Sequence, residues 1–328
     1  DPCRSRGLGD VYKRQPKVTI PKMSENLSYS AKSEVANLIK RRTRLERLKI
    51  ALSKAPISAW FGMIVLFIYF FAAIFAPLIA PHGEAEIFPV AYAPWGDGHI
   101  FGTDQIGRDI FSRIIYAARN TIGICLLATF IALGIGTVFG IIAALDRRYL
   151  DQLLSRIVDT LMAIPVMIFT FILLSVFGPT NFNLIVILGI LESTRFFRIS
   201  RSVAVGQVVL EYVEVARLRG ENLSYIIFRE ILPNIASPLI IEFGLRFIFI
   251  IFTISSLSFL GIGIQPPSAD WASMVRENAI LIQYAQYDIT AGLTPLIPAA
   301  AIALLCVSIN FVVDWYLYIT SGLKDDVK

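Results

Sequence analysis

Six apolar runs, at about 57–80, 120–145, 155–177, 184–200, 236–264 and 291–319, constrain this chain more than any motif in it. Each approaches the roughly 20 residues that a helix needs to cross a hydrocarbon core of ~30 Å. Without water, every backbone N–H and C=O must be bonded within the segment, so such runs fold as helices. Composition agrees: 55% of residues are hydrophobic and only 17% charged, with a mean hydropathy of +0.65, far above a soluble domain. The fold class expected is an all-α polytopic membrane protein. The fourth run is short and ends in arginines, so its bounds are the least sharp. An even number of crossings leaves both termini on one side.

Lysine and arginine choose that side. Lys40, Arg41, Arg42, Arg44, Arg47, Lys49 and Lys54 precede the first run. Arg147, Arg148 and Arg156 join the second to the third, and Arg195, Arg198, Arg201, Arg217, Arg219 and Arg229 the fourth to the fifth. The opposite loops hold Arg108, Arg113 and Arg119 in the long first loop and Arg276 in the last. The positive-inside rule then makes both termini cytoplasmic. The net charge of +5 reflects this orientation and does not call for nucleic acid. Residues 23–56 form a basic amphipathic stretch, with Val35, Leu38, Ile39, Leu45 and Leu48 on one face, suited to the inner membrane surface. Residues 1–22 are expected to be a non-native or disordered leader; the first fifteen lack a Met and match nothing downstream. Residues 321–328 read as a cytoplasmic tail.

One segment breaks the apolar rhythm. Residues 212–234, YVEVARLRGENLSYIIFREILPN, are too polar to span and too apolar for a free linker. Helix pattern runs to Leu218, Gly220 supplies a stop, a second amphipathic stretch reaches Glu230, and Pro233 is expected to end it. Two short helices joined at a bend want a partner surface.

Elsewhere the pattern sets local expectations. Thr103 or Asp104 is placed to cap a surface helix whose stripe is Ile106, Ile110, Ile114 and Ile115, with Arg108, Asp109 and Arg113 around it. Gly136 and Gly140 form a GxxxG, read as helix packing. Arg156 and Asp159 are spaced to pair, and Pro165 to kink the third run. Glu242 and Arg246, four apart in an apolar run, are either a self-paired couple near its cytoplasmic end or part of a translocation path, for which Glu192 is a further candidate. Gly261 and Gly263 are expected to loosen the fifth helix, Pro266 and Pro267 to end it, and Ser268 to cap a short helix through Glu277. Trp271 and Tyr284 suit an interfacial belt. Cys125 and Cys306 read as small apolar residues. His82 and His99 lie in the first loop; His99 with Asp97 and Asp104 reads as solvated loop, and no metal site is expected. With no GxxxxGK[ST], HExxH or GxSxG, the chain is expected to be non-catalytic and to bind no cofactor itself.

Three motifs carry a family resemblance. Glu214, Ala216, Gly220, Leu232 and Pro233 are spaced as in the EAA loop of bacterial ABC import permeases, in a segment at about 201–235. Gly102, Thr103, Asp104, Gly107, Arg108 and Asp109 form a GTDxxGRD, and residues 256–271, SLSFLGIGIQPPSADW, include Gly261, Gly263, Gln265, Pro266, Pro267 and Trp271. Over residues 57–315 the chain resembles the C-type permease subunit of oligopeptide/dipeptide ABC importers. The resemblance implies a type I importer permease fold with six transmembrane helices and cytoplasmic coupling helices. Residues 57–119 would hold the first helix and outer loop, and 120–320 the permease domain. It implies ATPase contact through Glu214, Ala216, Gly220, Glu221, Asn222, Leu223, Ser224, Tyr225, Leu232 and Pro233. Implied partners are a second permease subunit, two ATP-binding subunits carrying ATP and Mg, an extracytoplasmic solute-binding protein, and the lipid of the bacterial inner membrane. The same fold imports nickel, opines or glutathione; a membrane-embedded enzyme or a channel is the reading from outside the family. This chain departs from the family pattern at Val215, at Glu192-Ser193-Thr194, at the charged pair Glu242 and Arg246, and in its tail.

Overall fold

The computed structural model describes residues 52–53, 55–96, 98–146 and 148–322. The leader, the basic stretch as far as its last residues, Asp97, Arg147 and the tail beyond 322 lie outside the described residues. In chain order the helices are α1 (Ile57–Ile79), α2 (Ile110–Leu145), α3 (Tyr149–Met162), α4 (Val166–Phe177), α5 (Asn181–Val208), α6 (Glu211–Leu218), α7 (Leu232–Phe259), α8 (Trp271–Asn278), α9 (Ile289–Leu293) and α10 (Leu296–Gly322). All belong to the unit Ala55–Lys328. Among the described residues no strand forms beyond one isolated bridge, Thr103 with Asp109.

Hydropathy separates these helices. Ile57–Ile79, Ile110–Leu145, Leu223–Phe259 and Ile289–Thr320 are long and apolar enough to cross a membrane, and the bent pair α3–α4 makes a fifth candidate. On α1, Phe61, Ile64, Phe67, Ile68 and Phe71 point away from the protein, as lipid-facing side chains do. The expected third crossing is broken rather than kinked: the chain turns by 86° between α3 and α4. Pro165 has no N–H and pushes the residue before it out of helical geometry. The expected fourth crossing lies within α5, which is long enough but carries Glu192, Arg195, Arg198 and Arg201.

The spine is α2, whose 36 residues span roughly 54 Å at 1.5 Å per residue. It packs most extensively on α5, and glycine permits the approach. A methyl group on Gly136 would collide with Ser193 O and sit 2.5 Å from Phe196 Cβ; one on Gly140 would meet Phe197 O at 2.7 Å. The Ser200 hydroxyl donates to Phe196 O at 2.7 Å and lies 3.1 Å from Gly136 O, joining the backbones of the two helices. Gly134 faces open space and takes no part.

Several local expectations change. The cap of α2 is Asp109, whose Oδ2 accepts the Ser112 N–H at 2.8 Å; Thr103 and Asp104 are used elsewhere, and Ile106 stays in the preceding loop. Arg108, Asp109 and Arg113 are buried, not spread over a surface helix. Asp159 meets Arg198 Nη2 at 2.6 Å instead of Arg156, because α5 brings a cation alongside. This exposed pair contributes at most about 1 kcal/mol. The Asp151 carboxylate takes both Nε and Nη2 of Arg201, the latter at 2.7 Å, which ties α3 to α5.

Helix α7 ends at Phe259, before the prolines. The Ile262 N–H reaches Leu257 O at 2.9 Å and the Gly261 N–H reaches Ser258 O at 3.0 Å, a C-terminal closure that places Gly261 in the left-handed region. Asp270, not Ser268, caps α8 by accepting the Ser273 N–H at 2.9 Å. Burial pushes its carboxyl up, against hydrogen bonds from Ser273, Ser258 and Thr121 that hold it down. Trp271 is no belt residue: it is buried and donates to Ile114 O at 3.1 Å, while Tyr284 is exposed.

Gly140→Leu should force α2 and α5 apart and destabilise detergent-solubilised protein by at least about 1–3 kcal/mol, seen as a lower thermal unfolding midpoint. Gly134→Ala should be neutral or slightly stabilising. Equal effects from the two changes would contradict the packing described.

Candidate functional site

The two ends of α2 carry different structures. Near Ile110 an apolar cluster gathers Ile110, Ile122, Ile254, Leu257, Trp271 and Met274; near Leu145 a second one holds Ile141, Ala144, Val213, Ala216, Ile226 and Ile231. The polar segment 212–234 sits on the second.

That segment is a rigid hairpin. Helix α6 closes with the Glu221 N–H on Ala216 O at 3.2 Å and the Gly220 N–H on Arg217 O at 2.9 Å. The closure requires a left-handed residue, and Gly220 supplies it at φ +77. Asn222 Oδ1 then caps the next turn, Leu223–Tyr225, through the Tyr225 N–H at 2.8 Å. A π-helical turn, Ile226–Ile231, follows and runs straight into α7. Pro233 therefore does not stop the helix. It sits where the π-helical turn hands over to α7: the Leu232 N–H still reaches back five residues to Ile227 O, and the ladder changes register around the missing N–H. Asn234 Nδ2 lies 3.3 Å from the Tyr212 hydroxyl, which itself donates to Gln207 at 2.9 Å, so both arms are tied.

Burial divides the hairpin into a base and a tip. Val213, Ala216, Ile226, Ile227 and Ile231 are buried in the base, and Leu232 packs partly against them. Ala216 is thus a packing residue within its own chain. The tip presents Glu214, Gly220, Asn222 and Ser224 to the outside, with Glu221 and Tyr225 partly covered. Two leucines stand out among these polar neighbours: Leu218 is 81% exposed and Leu223 51%. Arg219 lies 3.7 Å from Glu230 and 4.0 Å from Glu221.

A second feature lies midway along α5 and α7. Arg246 Nε is 2.6 Å from Glu242 Oε1, and Arg246 Nη1 is 3.6 Å from Glu192 Oε2. The expected α7 pair is present, and Glu192 joins it from α5. All three are largely buried, with the guanidinium 4.4 Å from the Phe249 ring centroid. Glu242 is ten residues past the start of α7, roughly 15 Å along the helix, so the pair is mid-helix rather than near an end. Two carboxylates sharing one guanidinium leave Glu192 Oε2 without a hydrogen bond.

The GTDxxGRD residues build a buried knot at the opposite end of α2. Asp104 accepts N–H groups of Ile106 and Arg108 at 3.0 and 2.9 Å, and its other oxygen takes Arg108 Nε at 2.7 Å and Arg113 Nη1. Both arginines also reach Glu277 Oε2 on α8, each at 2.8 Å. Thr103 donates to Val90 O at 2.8 Å, and Gly102 and Gly107 turn at positive φ. Gln265 Nε2 donates to Gly263 O at 2.9 Å and Gly261 O at 3.1 Å, before the cis Pro266-Pro267 bond. Glu277 was not foreseen: it is more than 160 residues away in sequence, and nothing local marks it.

Residues 136–321 match the family model for the binding-protein-dependent transport system inner membrane component. The dipeptide transport system permease protein DppC of Alkalihalophilus pseudofirmus is 34% identical over 266 residues, covering 80% of this chain and 83% of that protein. The Escherichia coli protein of the same name is 33% identical over 271 residues, 80% of this chain and 86% of its own length. The di/tripeptide transport system permease protein DppC of Pseudomonas aeruginosa is 30% identical over 252 residues, 74% and 83%. With more than half its length matched and apolar helices fit to cross a membrane, this chain belongs to the inner membrane components of binding-protein-dependent transport systems.

Proposed function

We propose that this chain is one half of the translocation pathway of an ATP-driven importer of di- or oligopeptides, and that its hairpin at 212–234 is where ATPase subunits grip it. The carrying observation is the tip: Leu218 and Leu223 are exposed on a hairpin whose bend is fixed by Gly220 and whose second arm is continuous with α7. Exposed aliphatic side chains on a rigid polar element suit a partner surface. The continuity supplies a lever, since a push on the tip has no flexible joint before the membrane.

In this reading α5 is the sixth crossing: Glu192 is buried beside Arg246 of α7, while Arg198 and Arg201 pair with Asp159 and Asp151 of α3. Both termini and the hairpin then face the cytoplasm, as the Lys/Arg bias requires. The working unit is this chain, a second permease subunit, two ATPases that carry ATP and Mg, and an extracytoplasmic binding protein. ATP binding favours one arrangement of the bundle only through differential contacts in the two states. The peptide named in the relatives' descriptions favours that cargo over nickel, opines or glutathione. Glu242, Arg246 and Glu192 are the polar residues proposed to border the pathway, which leaves the apolar helices to lipid and packing.

Gly220→Asp has room for its side chain, since nothing lies within 4 Å of a Cβ there, but at φ +77 any side chain strains the bend. It should insert normally yet lose substrate-stimulated ATP hydrolysis in the reconstituted complex by at least ~10-fold, within the usual range of coupling energies; unchanged stimulation would remove the docking role. Arg246→Ala strands two buried carboxylates and should destabilise by about 3–5 kcal/mol. The triple change Glu192→Gln, Glu242→Gln, Arg246→Met should recover most of that stability. If it also leaves peptide uptake at the wild-type rate, the cluster is structural and does not border the path.

A further inference from the structure

The geometry points to a transition-metal site formed by His82, His99 and Asp109, holding one Zn2+ or a similar borderline divalent ion. The three residues come from separate places: His82 follows α1, His99 lies in the long loop, and Asp109 caps α2. One ligand atom from each lies within 4.8 Å of the other two. The two imidazoles have ring centroids 5.4 Å apart, and Phe88 packs edge-on against both, at 4.8 and 4.6 Å.

The nitrogen inventory favours a ligand. His99 Nδ1 is 2.9 Å from Asp109 Oδ1, which leaves its second ring nitrogen without a hydrogen bond among the described residues. Neither ring nitrogen of His82 has one either; its nearest carboxylate is Glu86 Oε2, 3.9 Å from Nδ1. His82 is instead held by its backbone, whose N–H donates to Ser112 Oγ at 3.1 Å. Asp109 is fixed by the Ser112 N–H on its other oxygen. Two imidazoles and a carboxylate suit Zn2+ at about 2.0–2.2 Å, with ligand atoms roughly 3.3–3.6 Å apart. The present spacing needs adjustments of about 1 Å, and a metal taken on His99 Nδ1 puts that ring's remaining proton on Nε2. Glu86, half exposed, or a water completes four-coordination. The bound ion would clasp the exit of α1 to the start of α2, beside the buried knot of Asp104 and Arg113.

The test uses the full chain in detergent, with any affinity tag removed, stripped by chelator and titrated with Zn2+, then with Co2+ as a spectroscopic probe. The site predicts one zinc retained per chain after desalting, a visible Co2+ band of tetrahedral type, and a higher unfolding midpoint that chelator reverses. His82→Ala should weaken zinc binding at least ~10-fold and abolish the midpoint shift. Losing the ring's contact with Phe88 lowers the metal-free midpoint of this variant slightly, so the readout is the zinc-induced shift; Asp109→Asn provides a second variant with the volume kept. Substoichiometric zinc in the wild type, or His82→Ala binding as tightly as the wild type, would overturn the site.

Discussion

Contact of α2 and α5 at backbone distance is the constraint on which the other features hang. Lipid tails give two apolar helices little reason to associate, so van der Waals fit and interhelical hydrogen bonds must hold them. Gly136, Gly140 and the Ser200 hydroxyl provide both. Because α2 runs from the buried knot at Asp104 to the base of the hairpin, its seating fixes both ends at once. Displacing it would open the second apolar cluster, where Ala144 and Ile141 support Val213 and Ile226.

Charge is placed by a consistent rule along this frame. At the Ile110 end, Asp104, Arg108, Arg113 and Glu277 form a buried group of two cations and two anions, each linked by hydrogen bonds. Such a group specifies which elements meet, since an incorrect partner leaves a charge unmatched in a dry site. In the middle, Glu192 and Glu242 share the Arg246 guanidinium, and Glu192 Oε2 has no hydrogen bond. Ionisable groups at that depth are costly and are tolerated where they pair with one another. At the hairpin end, by contrast, arginines are exposed and the conspicuous residues are leucines.

Much of this was legible in the residues. The apolar runs located α1, α2, α7 and α10, the GxxxG located the tight packing, and Gly220 located the bend, because each depends on spacing within one segment. The Glu242–Arg246 pair was readable for the same reason. Long-range partners were not. Arg198 outcompetes Arg156 for Asp159 only because α5 lies beside α3, and Glu277 completes the knot from another helix. The caps were misassigned where several suitable oxygens crowd together: Thr103, Asp104 and Asp109 all look like caps, and only packing frees Asp109 to act as one. Pro233 looked like a stop, but the π-helical turn before it absorbs the missing N–H, so the continuity into α7 was hidden. Trp271 resembled a belt residue until its indole was found buried against Ile114.

The central claim, that the tip of the hairpin is gripped by a nucleotide-hydrolysing partner, is tested most directly by cross-linking from the tip itself. Cys125 and Cys306 are buried, so in a Cys3→Ser background Leu218→Cys or Leu223→Cys would add an accessible thiol where the protein exposes an aliphatic side chain. In intact membranes containing the assembled transporter, these thiols should cross-link to the ATPase subunits, and an impermeant reagent applied from outside should not label them. Labelling from outside, or cross-links that avoid every ATPase subunit, would contradict the account.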